Sequence, residues 1–265
     1  MKTIVITGST RGIGAGMAEA FLELGCSVVI SGRKAGTVEQ EVEKLSKKYG
    51  RDRVMGQACD VGDYEQVQAL WDTSRQVFST IDIWINNAGI TNPVGAFWEQ
   101  PEEGMAAVME TNVLGTMYGA KVALRGMLAQ GYGAVYNMMG LGSDGRKQAG
   151  LTLYGTSKAG LRYFTDAIAE EAAETPVLVG ALSPGMVVTD LVTAARTASP
   201  ATWKRVKRVL NLLGDRVETI SPWLAKRVLE NKKNGADIRW LTSWKLLWRV
   251  ISAPLVKRRV VNGSE

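Results

Sequence analysis

Short apolar runs alternate with longer amphipathic stretches along most of the chain. The runs are nearly continuous in Val, Ile, Leu and Met, which is typical of strands covered on both faces. The stretches between them repeat apolar residues with the period of a helix. This alternation predicts right-handed βαβ units and an α/β fold with a doubly wound parallel sheet, whose ligand lies at the carboxyl ends of the strands. The predicted strands are residues 3–7, 27–31, 54–58, 81–85, 134–138 and 177–183, and the predicted helices are residues 14–24, 38–49, 64–78, 105–128 and 153–173.

The last third of the chain has a weaker pattern. Residues 186–235 predict two or three helices joined by short loops, and residues 236–242 predict a final strand. Because no polar linker or low-complexity tract interrupts the chain, we expect residues 1–265 to form a single domain. Within it, residues 186–265 would supply helices on the substrate side and a basic, aromatic C-terminal tail.

The composition excludes several classes of site. None of the 265 residues is histidine, which excludes Ser-His-Asp and Cys-His catalysis and His-ligated metals, so we expect no metal centre. Cys26 and Cys59 lie in or beside apolar runs and are predicted to be buried, reduced thiols. No apolar run reaches the roughly 18 residues of a membrane-spanning helix, and no secretory signal is recognisable. These features predict a cytoplasmic protein.

A glycine-rich turn follows the first predicted strand and leads into a helix. Glycines allow the backbone to turn sharply and to approach a pyrophosphate, which the helix N-terminus stabilises through its N–H groups and its dipole. The turn therefore predicts a dinucleotide site, although an ordinary strand-to-helix turn can have the same composition. Its candidate cofactor contacts are Gly8, Ser9, Thr10, Arg11, Gly12, Ile13 and Gly14.

The residues at the end of the second strand indicate whether the cofactor is NADH or NADPH. A site for NAD usually places a carboxylate here to bind the ribose 2′-hydroxyl, but this strand ends in Gly32-Arg33-Lys34. Arg33 and Lys34, together with Arg11 from the glycine turn, suit a 2′-phosphate. The sequence thus favours NADPH over NADH. The alternative is that both cations are only solvated loop charges.

Tyr154 and Lys158 are four residues apart on a predicted helix, so they share one face and their side chains can meet. A phenol ordinarily titrates near ~10. A nearby ammonium favours the phenolate, which would make the tyrosine a usable acid–base group near neutral pH. Such pairs are common surface contacts, and this one is informative only beside a nucleotide-binding turn.

Two further motifs are Asn86-Asn87-Ala88-Gly89 and Pro184-Gly185-Met186-Val187-Val188-Thr189. With the glycine turn and the Tyr-Lys pair they stand in an order that resembles the short-chain dehydrogenase/reductase family over about residues 1–195. The resemblance implies a Rossmann-like fold that binds NAD(P)(H). It implies that Tyr154 donates a proton to a substrate carbonyl, while Lys158 holds the nicotinamide ribose and lowers the tyrosine pKa. Asn112 matches the asparagine that links the lysine to solvent through water. The other positions that match cofactor contacts of the family are Asp60, Val61, Asn87, Ala88, Gly89, Pro184, Gly185, Val187 and Thr189.

The serine of that family is missing from its usual place. It normally follows the fifth strand in a pattern like Asn-x-Ser-Ser, whereas this chain reads Asn137-Met138-Met139-Gly140-Leu141. Ser143, in the same glycine-rich segment, is the candidate for polarising the substrate carbonyl. The alternative is that Ser143 only caps the loop and that the site has no serine. This segment and residues 182–191 resemble the chlorophyll b reductase branch, whose enzymes reduce a formyl group on a chlorin ring.

The tail combines aromatic and basic residues. An apolar stripe traces one helical face, with Lys245 and Arg249 off that face and Lys257-Arg258-Arg259 downstream. Residues 200–265 carry 15 Lys and Arg against 5 Asp and Glu, a net charge of +10, which leaves −4 for residues 1–199. This pattern suits peripheral contact with an anionic membrane, although we rather expect the stripe to pack on the domain or to cover the substrate pocket. The acidic remainder argues against a nucleic-acid partner. The stripe consists of Trp240, Trp244, Leu247, Trp248 and Ile251.

Together these features predict an NADPH-dependent reductase of an aldehyde or ketone on a bulky, apolar substrate, for example the formyl group of a chlorophyll b-like chlorin. Ser143 would orient the carbonyl oxygen, Tyr154 would protonate it, and Lys158 and Asn112 would support the proton relay. The alternatives are a catalytically weak nucleotide-binding scaffold or regulatory protein, and a short-chain reductase for another ketone such as a steroid or acyl substrate. We expect a homo-oligomer.

Overall fold

The computed structural model describes residues 1–189, 200–253, 258, 260 and 261. Its first half alternates strands and helices as predicted. The elements are β1 (Thr3–Ile6), α1 (Gly12–Glu23), β2 (Ser27–Gly32), α2 (Ala35–Tyr49), β3 (Val54–Ala58), α3 (Tyr64–Phe78), β4 (Ile83–Asn86), α4 (Glu102–Met109), α5 (Gly115–Gln130) and β5 (Gly133–Met138).

The second half begins with the helix that carries Tyr154 and Lys158. Its elements are α6 (Thr152–Glu171), β6 (Val177–Ser183), β7 (Val187–Val188), α7 (Pro200–Leu213), β8 (Asp215–Arg216), α8 (Val217–Glu230), β9 (Ala236–Arg239) and α9 (Ser243–Ser252).

Seven strands form one sheet in the order β3-β2-β1-β4-β5-β6-β9. Every pairing in it is parallel, and Val5 at its centre lies opposite Val29 on one side and Trp84 on the other. The chain runs outward from β1 in one direction and then from β4 in the other, so the carboxyl ends of β1 and β4 flank the crevice where ligands bind in such sheets. The predicted α/β, doubly wound, Rossmann-like fold is confirmed.

The core has two layers, one on each face of the sheet. Ile4 and Ile6 pack with Phe21 of α1 on one face, whereas Val5, between them in sequence, packs with Leu70 of α3 on the other. Successive side chains of a strand point to opposite faces. Because both faces of this sheet are covered, nearly every residue of a central strand is apolar. Cys26 and Cys59 are buried and unbridged, as predicted.

One predicted helix is interrupted. The pattern over residues 105–128 predicts a single helix, but α4 and α5 are separated by a π-helical turn, Glu110–Leu114. Such turns insert an extra residue into a helix and are frequent at functional sites. Here the turn carries Asn112, whose side chain is fully buried.

The C-terminal region matches the sequence prediction in part. Two helices, α7 and α8, occupy residues 200–230, whereas residues 190–199 lie outside the described part of the chain. The short strands β7 and β8, which pair in parallel, had no sequence signal. The predicted final strand ends at Arg239, and Thr242 caps the N-terminus of α9 by accepting a hydrogen bond from the Lys245 backbone N–H at 3.3 Å. Over the ranges given above, no helix is both long and apolar enough to span a membrane.

Candidate active site

The glycine turn packs tightly against the end of β4. A Cβ placed on Gly8, whose φ is +63°, would lie 2.8 Å from the Ala88 Cα, and one on Gly14 would lie 2.5 Å from the Asn87 Nδ2. Only glycine fits at either position. The first turn of α1 holds no acidic side chain, and its N-cap residue, Arg11, makes no side-chain cap. The geometry and the charge of this turn therefore fit a pyrophosphate.

Thr7 and Asn87 hold this crevice in shape. The Asn87 amide donates to the carbonyl oxygens of Thr7 and Gly8 at 2.9 and 3.0 Å. In return, the Thr7 hydroxyl accepts from the backbone N–H groups of Asn87 and Ala88 at 3.0 and 3.1 Å. These bonds join the ends of β1 and β4, so Asn87 contributes to the shape of the cleft through its backbone contacts.

The end of β2 lies beside the same turn. Ser9 and Ser31 exchange hydrogen bonds of 2.8 and 2.9 Å, and a Cβ on Gly32 would lie 3.0 Å from the Thr10 Cγ2. Arg33 and Lys34 follow directly and are exposed. The structure thus places the β2 cations next to the glycine turn, as the prediction of a 2′-phosphate site requires.

The end of β3 completes this side of the cleft. The Cys59 backbone N–H donates to Gly32 at 3.0 Å, which brings Asp60 beside the end of β2. The Asp60 carboxylate accepts from the Gly62 N–H at 3.0 Å and is partly buried. Val61 is buried against Gly115, at which a Cβ would lie 2.6 Å from the Val61 Cγ2.

The segment after β6 reaches across to the glycine turn. Val187 is buried, and Thr189 lies within 3.6 Å of where a Cβ on Gly12 would stand. Pro184 is buried and Gly185 turns the chain with a φ of +77°. Thr189 of this motif therefore lies beside the glycine turn, although the two are far apart in the sequence.

Tyr154 and Lys158 lie on the first turns of α6, facing the end of β5. The Lys158 Nζ donates to the Met138 carbonyl at 2.9 Å and stands 5.9 Å from the centre of the Tyr154 ring. Lys158 is buried and Tyr154 is partly buried. Gly89, from the second motif, lies beside this pair, because a Cβ there would be 3.8 Å from the Lys158 Nζ.

Burial dominates the titration of both groups. It raises the pKa of Tyr154 to about 12 and lowers the pKa of Lys158 to about 8. The sequence predicted that the lysine lowers the tyrosine pKa, but the net shift in this structure is upward, because desolvation opposes the charged form of each group. At neutral pH the phenol therefore stays protonated, which is the state of a proton donor.

Asn112 is held by three hydrogen bonds of its side-chain amide. The oxygen accepts from the Ile90 N–H at 2.8 Å, and the nitrogen donates to the Ile90 carbonyl and to the Ser157 hydroxyl, each at 2.9 Å. The Ser157 hydroxyl donates to the Tyr154 carbonyl at 2.7 Å. Asn112 thus reaches the Tyr-Lys helix through Ser157, a residue that the sequence reasoning missed although it lies between the two.

Ser143 lies on the loop between β5 and α6. Its hydroxyl donates to the Gly140 carbonyl at 2.7 Å, and its N–H contacts the same oxygen at 3.1 Å. Gly140 itself lies against the tyrosine, since a Cβ there would stand 2.3 Å from the Tyr154 Oη. To donate to a substrate carbonyl, the Ser143 hydroxyl must first release Gly140. Its catalytic role stays a prediction.

Asn92 is a second residue that the sequence reasoning missed. Its side-chain oxygen accepts from the Tyr154 backbone N–H at 3.1 Å, and its nitrogen donates to Gly150 at 3.2 Å. It therefore ties the loop after β4 to the start of α6. Its position shortly after the Asn-Asn-Ala-Gly motif was the available signal.

The aromatic stripe of the tail is only partly packed against the rest of the protein. Trp240 is packed, with its indole Nε1 donating to Asp215 at 2.7 Å and its ring 5.1 Å from that of Trp223. Trp244 and Trp248, in contrast, are 76% and 64% exposed. The expectation that the whole stripe packs on the domain is wrong, because the opposite face of α9 is the one that contacts the protein. Lys257 and Arg259 lie outside the described residues.

Comparisons with known proteins agree with this geometry. A model of the short chain dehydrogenase family matches residues 2–200. The chloroplastic chlorophyll(ide) b reductase NOL of Oryza sativa subsp. japonica is 36% identical over 259 residues, which cover 94% of this chain and 74% of that protein. The predicted resemblance to the chlorophyll b reductase branch is thereby confirmed.

Solved structures share the fold at lower identity. The 3-ketoacyl-(acyl-carrier-protein) reductase from Brucella melitensis complexed with NADH has a TM-score of 0.78 at 22% identity, covering 90% of this chain and 96% of that one. The closed form of serine dehydrogenase complexed with NADP+ has a TM-score of 0.78 at 21% identity, covering 90% and 94%. These structures show the shared fold, and the family model over residues 2–200 together with the 36%-identical relative places this chain in the short-chain dehydrogenase/reductase family of NAD(P)-dependent oxidoreductases.

Proposed function

We propose that this protein is an NADPH-dependent carbonyl reductase of a bulky, apolar substrate, with Tyr154 as the proton donor. One observation carries the proposal. Three motifs lie at the same cleft, namely the glycine turn, the Asn87–Gly89 segment and the Tyr154–Lys158 pair. Each motif alone is common, whereas their convergence gives a nucleotide site and an acid in the same place.

The preference for NADPH rests on charge. Arg33 and Lys34 are exposed beside the glycine turn, and no carboxylate follows β2 at the position where an NAD site needs one. A guanidinium binds a phosphate with two parallel hydrogen bonds. The 2′-phosphate would therefore lie between the β2 end and Arg11, with the pyrophosphate at the N-terminus of α1.

The proposed chemistry is a proton transfer coupled to reduction. When bound in this cleft, the nicotinamide cofactor would provide the hydride for the carbonyl carbon. Tyr154 gives its phenolic proton to the carbonyl oxygen, and its pKa of about 12 keeps that proton in place until the oxygen becomes basic. Lys158, held by the Met138 carbonyl, places a cation beside the phenolate that forms. Asn112 fixes the same helix through Ser157.

The loop after β4 favours a large apolar substrate. Asn92 joins this loop to Tyr154, and the same loop exposes Val94, Phe97 and Trp98, which are 37%, 47% and 84% exposed. Apolar side chains left in solvent beside a catalytic cleft are typical of a surface that a ligand covers. The similarity to a chlorophyll(ide) b reductase makes a chlorin formyl group the first substrate to test, and a steroid or acyl ketone the second.

Gly140 lies directly against the Tyr154 phenol. A serine there would place its Cβ 2.3 Å from the Tyr154 Oη, so the present arrangement of the phenol requires glycine. The phenol therefore fills the space that a serine side chain at this position would need, and we propose that Ser143 approaches the carbonyl from the adjacent turn.

A catalytically weak nucleotide-binding scaffold is the second candidate, favoured by one observation. The Ser143 hydroxyl donates to Gly140 and not into the cleft. Under this alternative the protein binds NADPH but reduces no carbonyl compound at a rate that depends on Tyr154.

Replacing Tyr154 by Phe tests the proposal. The change removes the proposed proton donor and leaves the ring, so NADPH should still bind while turnover of aldehydes falls by more than about tenfold, roughly 1.4 kcal/mol of barrier. Binding is read from nucleotide fluorescence and turnover from NADPH oxidation with a panel of aldehydes, including a chlorin carrying a formyl group. Turnover of the variant within tenfold of the wild type would refute the mechanism, and absence of turnover in the wild type would favour the scaffold.

A further inference from the structure

Helix α9 exposes its apolar face and buries its charged one. Trp244, Leu247, Trp248 and Ile251 are 76%, 47%, 64% and 60% exposed. Their spacing of three and four residues puts them on one side of the helix. Neither cation of α9 lies on that side. This arrangement is the reverse of an ordinary surface helix, which turns its apolar stripe toward the core.

A buried ionic cluster holds the helix in this orientation. Arg249 donates to both carboxylate oxygens of Asp215, at 2.9 and 2.7 Å, and to the Leu213 carbonyl at 2.6 Å. Arg258 donates to the same carboxylate at 2.7 Å. Both Asp215 and Arg249 are at least nine-tenths buried. The charged face is therefore fixed against the protein by directed bonds, and the apolar face is left toward solvent.

The other cation of α9 is also turned inward. The Lys245 Nζ lies 2.9 Å from the centre of the Trp240 ring, which is itself packed on Trp223. Because both cations are engaged with the protein body, the outward face of α9 carries two indoles and two aliphatic chains and no charge. Its orientation does not depend on a partner.

We propose that this outward face binds the headgroup region of an anionic lipid bilayer, with Trp244 and Trp248 at the interface and Leu247 and Ile251 directed toward the acyl chains. Tryptophan suits that depth, because its ring is amphipathic and its N–H finds partners among the headgroups. A helix that lies in the interface with an apolar face of Trp and Leu is the usual form of such contacts.

The charge around α9 matches an anionic surface. α9 packs against α7, on which Lys204 and Arg208 are exposed one helical turn apart. The chain from residue 200 onward has a net charge of +10. Cations near an anionic bilayer each add attraction that fades with salt, so the apolar insertion and the basic flank supply the two signals that stable anchoring needs.

A second copy of the chain fits this face less well. Ten helical residues span about 15 Å, and the stripe offers four large side chains. A stable protein interface buries roughly 800 Å² on each partner and involves about 20–30 residues a side. The stripe is too small to form such an interface by itself, whereas a membrane contact has no such minimum.

Vesicle flotation tests the proposal with the full chain. Wild-type protein is floated with vesicles of phosphatidylcholine and phosphatidylglycerol, and with phosphatidylcholine alone, at low and high salt. The test variant is Trp244→Ser/Trp248→Ser. The matched control is Tyr163→Ser, which removes an aromatic ring that is 79% exposed on another helix. Because all three side chains are exposed, melting curves and NADPH binding should match those of the wild type.

The expected result is binding to the anionic vesicles that weakens at high salt, falls at least about tenfold in the double variant, and is unchanged in Tyr163→Ser. The proposal is overturned if the wild type does not float with anionic vesicles, if both lipid mixtures bind equally, or if the double variant binds as well as the wild type. It is also overturned if the wild type is a dimer that the double variant dissociates, since the stripe would then join two copies.

A second measurement uses only the unmodified protein. Phosphatidylglycerol with brominated acyl chains should quench its tryptophan fluorescence, and absence of quenching at a saturating lipid concentration would overturn the proposal. Membrane binding does not rest on the reaction proposed above. Turnover of a water-soluble aldehyde without vesicles should be equal in the wild type and the double variant, so a failure of the reductase proposal is seen separately.

Discussion

Replacing Gly140 by Ala should disable the enzyme without unfolding it. The new Cβ would lie 2.3 Å from the Tyr154 Oη and 3.0 Å from its Cζ. Ordinary contacts are about 3.5 Å, so the phenol oxygen must retreat by roughly 1 Å. A displacement of that size at a reacting group costs about 100-fold in rate, or about 2.7 kcal/mol of barrier. Gly140 is not among the glycines with positive φ, so alanine adds no backbone strain.

The measurement is kcat for NADPH oxidation with a small aldehyde, alongside NADPH affinity and thermal melting. The matched control is Gly160→Ala on the same helix as Tyr154, where a Cβ would meet nothing within 4 Å. That control should keep its activity and gain up to about 1 kcal/mol of stability, because alanine favours the helix. If Gly140→Ala retains kcat within about threefold of the wild type, the phenol is not the positioned acid inferred here. If NADPH affinity falls together with kcat, the substitution has disturbed the cofactor cleft instead.

Three further predictions concern charge. Lys158→Met should abolish turnover yet stabilise the fold at pH 7 by up to about 3 kcal/mol, because burial lowers the pKa of Lys158 to about 8 from 10.5. The lowered pKa reduces the stability of the wild type fully below pH 8, and this loss disappears as pH rises through 10.5. Urea unfolding should therefore show a difference between the two proteins at pH 7 and none at pH 11. Arg33→Ala should weaken NADPH binding by at least about tenfold and leave NADH unchanged, and an equal effect on both cofactors in fluorescence titrations would mean that the arginine is only solvated. Asp215→Asn should lower the free energy of unfolding by about 3 kcal/mol, because it leaves the buried guanidinium of Arg249 and the partly buried one of Arg258 without a counter-charge. Glu230→Gln, which breaks only the exposed pairs of α8, should cost less than about 1 kcal/mol.

Much of the fold could be predicted from the sequence because its signals are local. The bounds of β3, α3 and β6 agree with the prediction, since each is a run with one clear period. Asp63, for example, caps α3 by accepting from the Glu65 and Gln66 N–H groups. The order of the motifs was sufficient to predict the cleft, because parallel strands bring their carboxyl ends to one edge of the sheet.

The interior of the site depended on tertiary contacts. The π turn at Asn112 has the same apolar period as the helices around it, so no local pattern separates α4 from α5. The pKa values of Tyr154 and Lys158 follow the burial of the two groups, which neither residue type reveals. The close approach of Gly140 to the phenol, which leaves no room for a Cβ, is likewise a tertiary contact.

The tail shows the limit of the sequence most clearly. The apolar stripe of α9 was predictable from its spacing, but the direction in which it points was not. An apolar face usually packs inward, because burial of apolar surface is the strongest general stabilisation. Here the carboxylate of Asp215, 34 residues before Arg249 in the chain, binds the opposite face instead. The sequence determined that α9 is amphipathic, and only the tertiary structure decided which face meets solvent, because a buried ion pair is directional and the hydrophobic effect is not.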